Sequence, residues 1–238
     1  MIVDCHNHIG YDPAYLTNRR ADDLIKEMDE EGVDKCVIFP FTTNPDVVGQ
    51  NDVVRSSFEE HPGRFIGFFT MNPKLPKMTD LMQEYKMQGF RGVVTDSRFN
   101  VGHGAKLFHE LVECALVLDL PVWLHSDDKE AIFVPIDPLE SLLGKYPGVK
   151  FILSSMYLDV IYIASRHKNL FIDTAVYELG QDLLKTVQPL GTHRILMGSN
   201  TPYGTLRREI DKVTVLYELS TFQKALIMGE NMQRILNL

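Results

Sequence analysis

The sequence predicts an α/β protein, a single-domain (β/α)8 barrel of parallel strands spanning residues 1–238, and three observations lead there. Short β-branched or aromatic runs alternate with longer amphipathic stretches from end to end, the pattern of parallel strands joined by crossover helices. Eight such runs occur in 238 residues, the size and count of a closed barrel rather than of an open doubly wound sheet. No glycine-rich phosphate loop follows any strand, as a nucleotide-binding open sheet would require.

In chain order the strands are "MIVDCH", "KCVIFP", "FIGFFT", "GVVTD", "PVWLHS", "KFILSS", "LFIDTA" and "RILMGSN". Between them lie helical patterns. In "ADDLIKEMDEEG", Leu24, Ile25 and Met28 share a face and Gly32 fits a left-handed cap. In "KLFHELVECALVLD", Leu107, Leu111, Cys114 and Leu118 recur at helical spacing. The C-terminal "TFQKALIMGENMQRILNL" reads as the last barrel helix and a closing segment. No repeat, low-complexity tract or linker marks a boundary.

Hydrophobic residues are 45% and charged residues 24%, the mix of an ordinary globular protein with enough apolar material for a core. A net charge of -8 without a basic run argues against nucleic acid or an anionic membrane as partner, since both require clustered Lys and Arg. A small molecule fits better. No apolar run reaches the roughly 18 residues of a membrane span. Cys5, Cys36 and Cys114 lack CxxC spacing, so they read as core residues, and the expected compartment is the cytoplasm. A homodimer is the default assembly.

Chemistry in such barrels sits at the carboxyl ends of the strands. His6 and His8 end the first run and His125 ends the fifth. Alternation along a strand puts Asp4, His6 and His8 on one side and Val3 and Cys5 on the other. Three imidazoles converging on the mouth form a site for one divalent metal, zinc first, because neutral nitrogen donors suit a late first-row ion. His103 follows the fourth strand and Asp173 lies within the seventh; with Asp96 they are the candidates for acid–base catalysis. Arg98 can clamp a substrate carboxylate in bidentate fashion, and Tyr203 and Arg207 near the eighth strand are further pocket candidates. Asp127 and Asp128 after His125 read as helix caps. His61, His167 and His193 fall at the opposite end of the barrel, and His109 lies on an amphipathic helix as edge packing.

Together "DCHNHIG", "HPGRFIGFFTMNP", "GFRGVV", "LPVWLH", "RILMGSNTPYG" and "IMGENMQRIL" resemble the amidohydrolase-related family of metal-dependent hydrolases and nonoxidative decarboxylases of small, often carboxylated compounds. The resemblance implies one zinc held by His6, His8 and His125. It also implies an aspartate at the eighth strand and a histidine at the sixth, where this chain has Asn200 and Ser155, with Tyr157 in place of a glycine. Asn200 and Ser155 are therefore expected to line the pocket without supplying the usual base, because an amide takes no proton near neutral pH. Two functions are expected. One is a metal-binding hydrolase of a small ester, lactone or amide, or a decarboxylase, with non-standard acid–base residues. The alternative is a noncatalytic barrel that binds a small metabolite.

Overall fold

A computed structural model describes residues 1–96, 99, 105–125, 136–154, 158–175 and 180–238. Among them nine strands form one sheet. β1 (Val3–Asp12) is followed by the short β2 (Thr17–Arg19), α1 (Ala21–Glu31), β3 (Lys35–Pro40), α2 (Val47–Glu60), β4 (Phe65–Thr70) and α3 (Met78–Met87). Next come β5 (Gly92–Asp96), α4 (Lys106–Val117), β6 (Val122–His125), α5 (Ile136–Lys145), β7 (Phe151–Ser154) and α6 (Leu158–Arg166). β8 (Leu170–Asp173), α7 (Gly180–Leu190), β9 (Ile195–Leu196), α8 (Leu206–Thr214), α9 (Thr221–Ala225) and α10 (Asn231–Leu236) complete the order.

The strands lie in the order β2-β1-β3-β4-β5-β6-β7-β8-β9. β1 and β3 to β9 pair in parallel and coincide with the eight runs expected from the sequence. The sheet curls back on its first strand. Cys5 N–H donates to Met197 O at 2.8 Å, Asn200 N–H to His6 O at 2.9 Å and His8 N–H to Thr201 O at 2.9 Å, while Asn7 and Thr201 form a parallel bridge. With partners on both sides, β1 presents no open ladder there.

Alternation along the strands sorts the core into two layers. Val37 and Phe39, Ile66 and Phe68, Val94, Trp123, Ile152, Phe171 and Leu196 pack together inside the curl. Cys36, Ile38, Phe69, Val93, Val122, Leu124, Leu153 and Ile172 pack outward against Leu24 and Met28 of α1 and Phe108, Leu111, Val112 and Ala115 of α4. α1 ends as expected, with Gly32 at φ 70° and its N–H on Met28 O. In α4 the buried stripe is rotated from the expected one. Phe108, Val112 and Ala115 join Leu111 inside, Cys114 and Leu118 pack at its edge, and Leu107 is exposed.

Two further differences stand out. The outer helix after β9 is α8, not the C-terminal pattern. That pattern instead closes the amino-terminal end of the barrel: Met232, Ile235 and Leu236 join the inner layer, and Lys150 Nζ, just before β7, donates to Ile235 O at 2.8 Å. β1 also runs past the barrel rim and turns into an antiparallel hairpin with β2. No described helix is long and apolar enough to cross a membrane.

Asn51 of α2 is fully buried and spans the carboxyl end of β4, accepting from Thr70 N–H at 2.8 Å and donating to Thr70 O at 2.9 Å. Asn51→Ala strands buried polar groups and is expected to lower unfolding free energy by about 2 kcal/mol, measurable by urea titration.

Candidate metal centre

The first strand does not keep its alternation. Asp4 lies opposite Cys36, but Asn7, not His6, lies opposite Ile38. One extra residue is therefore accommodated at Cys5–His6, a β-bulge that shifts the phase of the residues beyond it. Val3 and Cys5 sit in the inner layer. Past the bulge His6 also faces inward, 5.2 Å from Phe39 and 5.0 Å from Trp123 between ring centroids, and His8 comes next at 4.7 Å from Phe39. The expectation that Asp4 shares a face with His6 and His8 is thus overturned, since period-two alternation fails across a bulge. Asp4 instead serves the bulge, its Oδ1 accepting the His6 N–H at 2.9 Å and the Ser199 N–H at 3.1 Å. Burial pushes its carboxyl up from 3.8 to about 6 against the hydrogen bonds from Ser199 and His6.

His125, at the end of β6, completes a triangle. The ring centroids are 5.3 Å apart for His6–His8, 5.4 Å for His6–His125 and 5.2 Å for His8–His125. One nitrogen from each ring lies within 4.8 Å of the others, and all three residues are buried. Each Nδ1 meets an oxygen acceptor: Asp173 Oδ2 at 3.0 Å for His6, Pro40 O at 3.4 Å for His8 and Asp96 Oδ2 at 3.1 Å for His125. Such partners hold the proton on Nδ1 and leave Nε2 as the donor atom. His6 Nε2 is buried with no hydrogen-bond partner, an arrangement that costs free energy unless a cation takes up the lone pair. The residues present therefore fit a divalent ion.

Asn200 stands beside His8, its Oδ1 3.1 Å from Nε2. A neutral imidazole has one N–H, and Pro40 O faces it, so a half-turn of the amide lets Nδ2 donate to the Nε2 lone pair. The amide is aimed by its backbone: Asn200 adopts φ 55°, a left-handed conformation that asparagine tolerates. Gly198, two residues earlier, has no room for a side chain, since a Cβ there would lie 2.9 Å from His6 Cβ. Behind it a buried ion pair ties the ends of β8 and β9 together. Lys212 Nζ donates to Thr174 O at 2.9 Å and Glu209 Oε2 at 2.7 Å, while Thr174 Oγ1 accepts the Gly198 N–H at 3.1 Å and donates to Glu209. Burial outweighs Lys212 and raises the Glu209 carboxyl to about 7.

Asp173 is fully buried. Its Oδ2 accepts from Ser154 Oγ as well as His6, and its Oδ1 from the Ala175 N–H at 2.9 Å. Burial raises its carboxyl, but the His6 imidazole and these hydrogen bonds outweigh that and leave it below the ordinary value. Asp96 carries a matching hydroxyl, Thr42 Oγ1, at 2.6 Å. Tyr203 lies at the rim, 5.9 Å from His8 and from Phe41 and 5.3 Å from Tyr15, with its hydroxyl on Asp12. Phe41 stacks on His8 at 4.9 Å.

Of the residues expected at the site, His6, His8, Asp96, His125, Asp173, Asn200 and Tyr203 come together. Arg207 does not: it pairs with Glu31 at 2.8 Å and is largely solvent-exposed. Arg98, His103, Asp127, Asp128, Ser155 and Tyr157 lie outside the described residues. Sequence reasoning missed Thr42, whose only signal is a hydroxyl two residues past a buried strand, and Phe41 beside it.

The bulge gives Asp4 a measurable signature. Its folded-state pKa of about 6 exceeds the ordinary 3.8, so the folded chain holds an extra proton between those values. The stability gained from that proton is full below pH 3.8 and is lost as pH rises through 6. Wild type is expected to lose about 3 kcal/mol over this window relative to Asp4→Asn, read from urea unfolding of metal-free protein at each pH.

The amidohydrolase family model matches residues 3–238. Among solved structures, 5-carboxyvanillate decarboxylase from Sphingomonas paucimobilis is 15% identical, with 100% of this chain and 99% of that one covered and a TM-score of 0.82. Dihydroxybenzoic acid decarboxylase from Polaromonas, with bound manganese and 2-nitroresorcinol, is 17% identical over 100% and 97% at a TM-score of 0.82. 4-Oxalomesaconate hydratase from Rhodopseudomonas palustris is 17% identical over 100% and 96% at 0.77. A search of curated proteins finds no match. With eight parallel strands curled into a barrel and three histidines at its mouth, the chain belongs to the amidohydrolase family.

Proposed function

We propose that this protein is a metal-dependent enzyme acting on a small carboxylated compound, with His6, His8 and His125 holding one divalent ion, zinc first. The observation that carries the reading is the buried triangle of imidazoles whose Nδ1 atoms all meet oxygen acceptors while His6 Nε2 has no partner. The manganese in the dihydroxybenzoic acid decarboxylase adds support for an ion of this charge.

A bound divalent ion supplies Lewis-acid polarisation of a carboxylate or carbonyl oxygen. The chain's own residues do the rest. Asp173, Pro40 O and Asp96 keep protons at Nδ1 of His6, His8 and His125. Phe41 and Tyr203 wall the His8 side with apolar surface that suits a planar substrate and excludes water. Arg98 clamps the substrate carboxylate, and Ser155 and Asn200 offer hydrogen bonds to its other oxygens.

Asn200 decides between reaction types. Hydrolysis in the family ordinarily uses a carboxylate at this position as the base for water, and an amide cannot take that part. Decarboxylation instead needs a group that returns a proton to carbon, and His103 is the candidate. Both of the Asp173 carboxylate oxygens are engaged, so its role is to orient His6. Decarboxylation therefore leads, with hydrolysis of an ester, lactone or amide behind it. The loss of the eighth-strand carboxylate at Asn200 also favours a second reading, a noncatalytic barrel that binds a small metabolite.

Zinc- and manganese-loaded protein should be assayed for carbon dioxide release from hydroxybenzoates and for hydrolysis of carboxylated lactones, beside His6→Ala. The expected result is turnover of one class that disappears in the variant and rises in Asn200→Asp for hydrolysis only. Ligand binding by calorimetry without turnover in any loaded form would establish the noncatalytic barrel.

A further inference from the structure

Among the described residues four candidate donors meet at this site, three imidazoles and the Asn200 amide, and none of these carries a negative charge. A dication placed among neutral donors in a buried pocket retains its full charge at low dielectric, which is costly. The compensating charge lies one layer out. Asp96 and Asp173 have side chains with 0% exposure, and their carboxylates touch His125 Nδ1 at 3.1 Å and His6 Nδ1 at 3.0 Å.

The two arrangements repeat one design. In each, a single carboxylate oxygen accepts both the imidazole and a hydroxyl, Thr42 for Asp96 and Ser154 for Asp173. In each, the strand ladder sets neighbours level: Asp96 pairs with His125 and Ser154 with Asp173. Because Leu124 pairs with Leu153, His125 is level with Ser154, and the four residues form one row across β5, β6, β7 and β8. The hydroxyls turn the carboxylates toward the rings. His8 has a carbonyl at its Nδ1 instead, so among the described residues two carboxylates touch the imidazole rings from behind.

Resting on the metal reading above, we infer that Asp96 and Asp173 are positioning residues that supply, through His125 and His6, the negative charge that the ion-binding groups themselves lack. Their removal weakens the metal site without touching a donor atom. Asparagine at either position keeps an oxygen that can accept the Nδ1 proton, so it removes charge while preserving the tautomer. Ser154→Ala does the reverse, keeping the charge and loosening its aim.

The test is zinc affinity by chelator competition, with the visible spectrum of the cobalt(II) form, in wild type, Asp96→Asn, Asp173→Asn and Ser154→Ala, each checked for folding by circular dichroism. Asp96→Asn and Asp173→Asn are expected to bind zinc roughly 10- to 100-fold more weakly and to shift the cobalt bands, with a smaller loss in Ser154→Ala. If Asp173→Asn fails to fold, Asp96→Asn decides. Folded variants that bind zinc within about twofold of wild type, with an unchanged cobalt spectrum, overturn the inference and leave the metal reading standing. Wild type that binds neither ion overturns the metal reading and the inference with it.

Discussion

The structure turns on one irregularity in its first strand. An extra residue at Cys5–His6 breaks the side-chain alternation, so that His6 and His8 both enter the barrel mouth while Cys5 still fills the inner layer. A regular strand in register with β3 could not do this with the same residues. The bulge frees the His6 N–H from the ladder, and the buried Asp4 carboxylate takes it up together with the Ser199 N–H. The same contact fixes the exit of β9, from which Asn200 reaches His8.

Around this point the protein accepts the expense of several buried carboxylates. Asp4, Asp96, Asp173 and Glu209 are all within a few percent of full burial, where an unpaired charge would be strongly destabilising. Each has a task that explains it. Asp96 and Asp173 face imidazoles, Asp4 holds backbone N–H groups of the bulge and β9, and Glu209 with Lys212 clamps Thr174. Free energy that an apolar core would have retained is committed to aiming three rings at one another, as local rule-breaking at functional sites generally implies.

Much of this is legible in the chain itself, for identifiable reasons. Strands such as "FIGFFT" announce themselves because burial on both faces selects continuous β-branched and aromatic residues, and His6, His8 and His125 stand out because they end such runs. Alternation misplaces Asp4 because it predicts faces only while a ladder is regular, and a bulge leaves no compositional trace. Periodicity sets the α4 stripe one residue off at Leu107, since Leu107 and Phe108 fit an apolar pattern equally well. β2 gives no signal because three polar residues, Thr17 to Arg19, pair through their backbone alone. Thr42 is invisible as a partner of Asp96 because the two are 54 positions apart.

Elemental analysis reads directly whether His6, His8 and His125 hold a metal ion. Protein without an affinity tag, purified in the absence of chelators, should carry close to one zinc or similar divalent ion per chain, and the same preparation of His6→Ala should carry none. Wild type that remains free of metal after zinc is supplied and excess is removed would contradict the account, and the imidazoles would then serve hydrogen bonding alone.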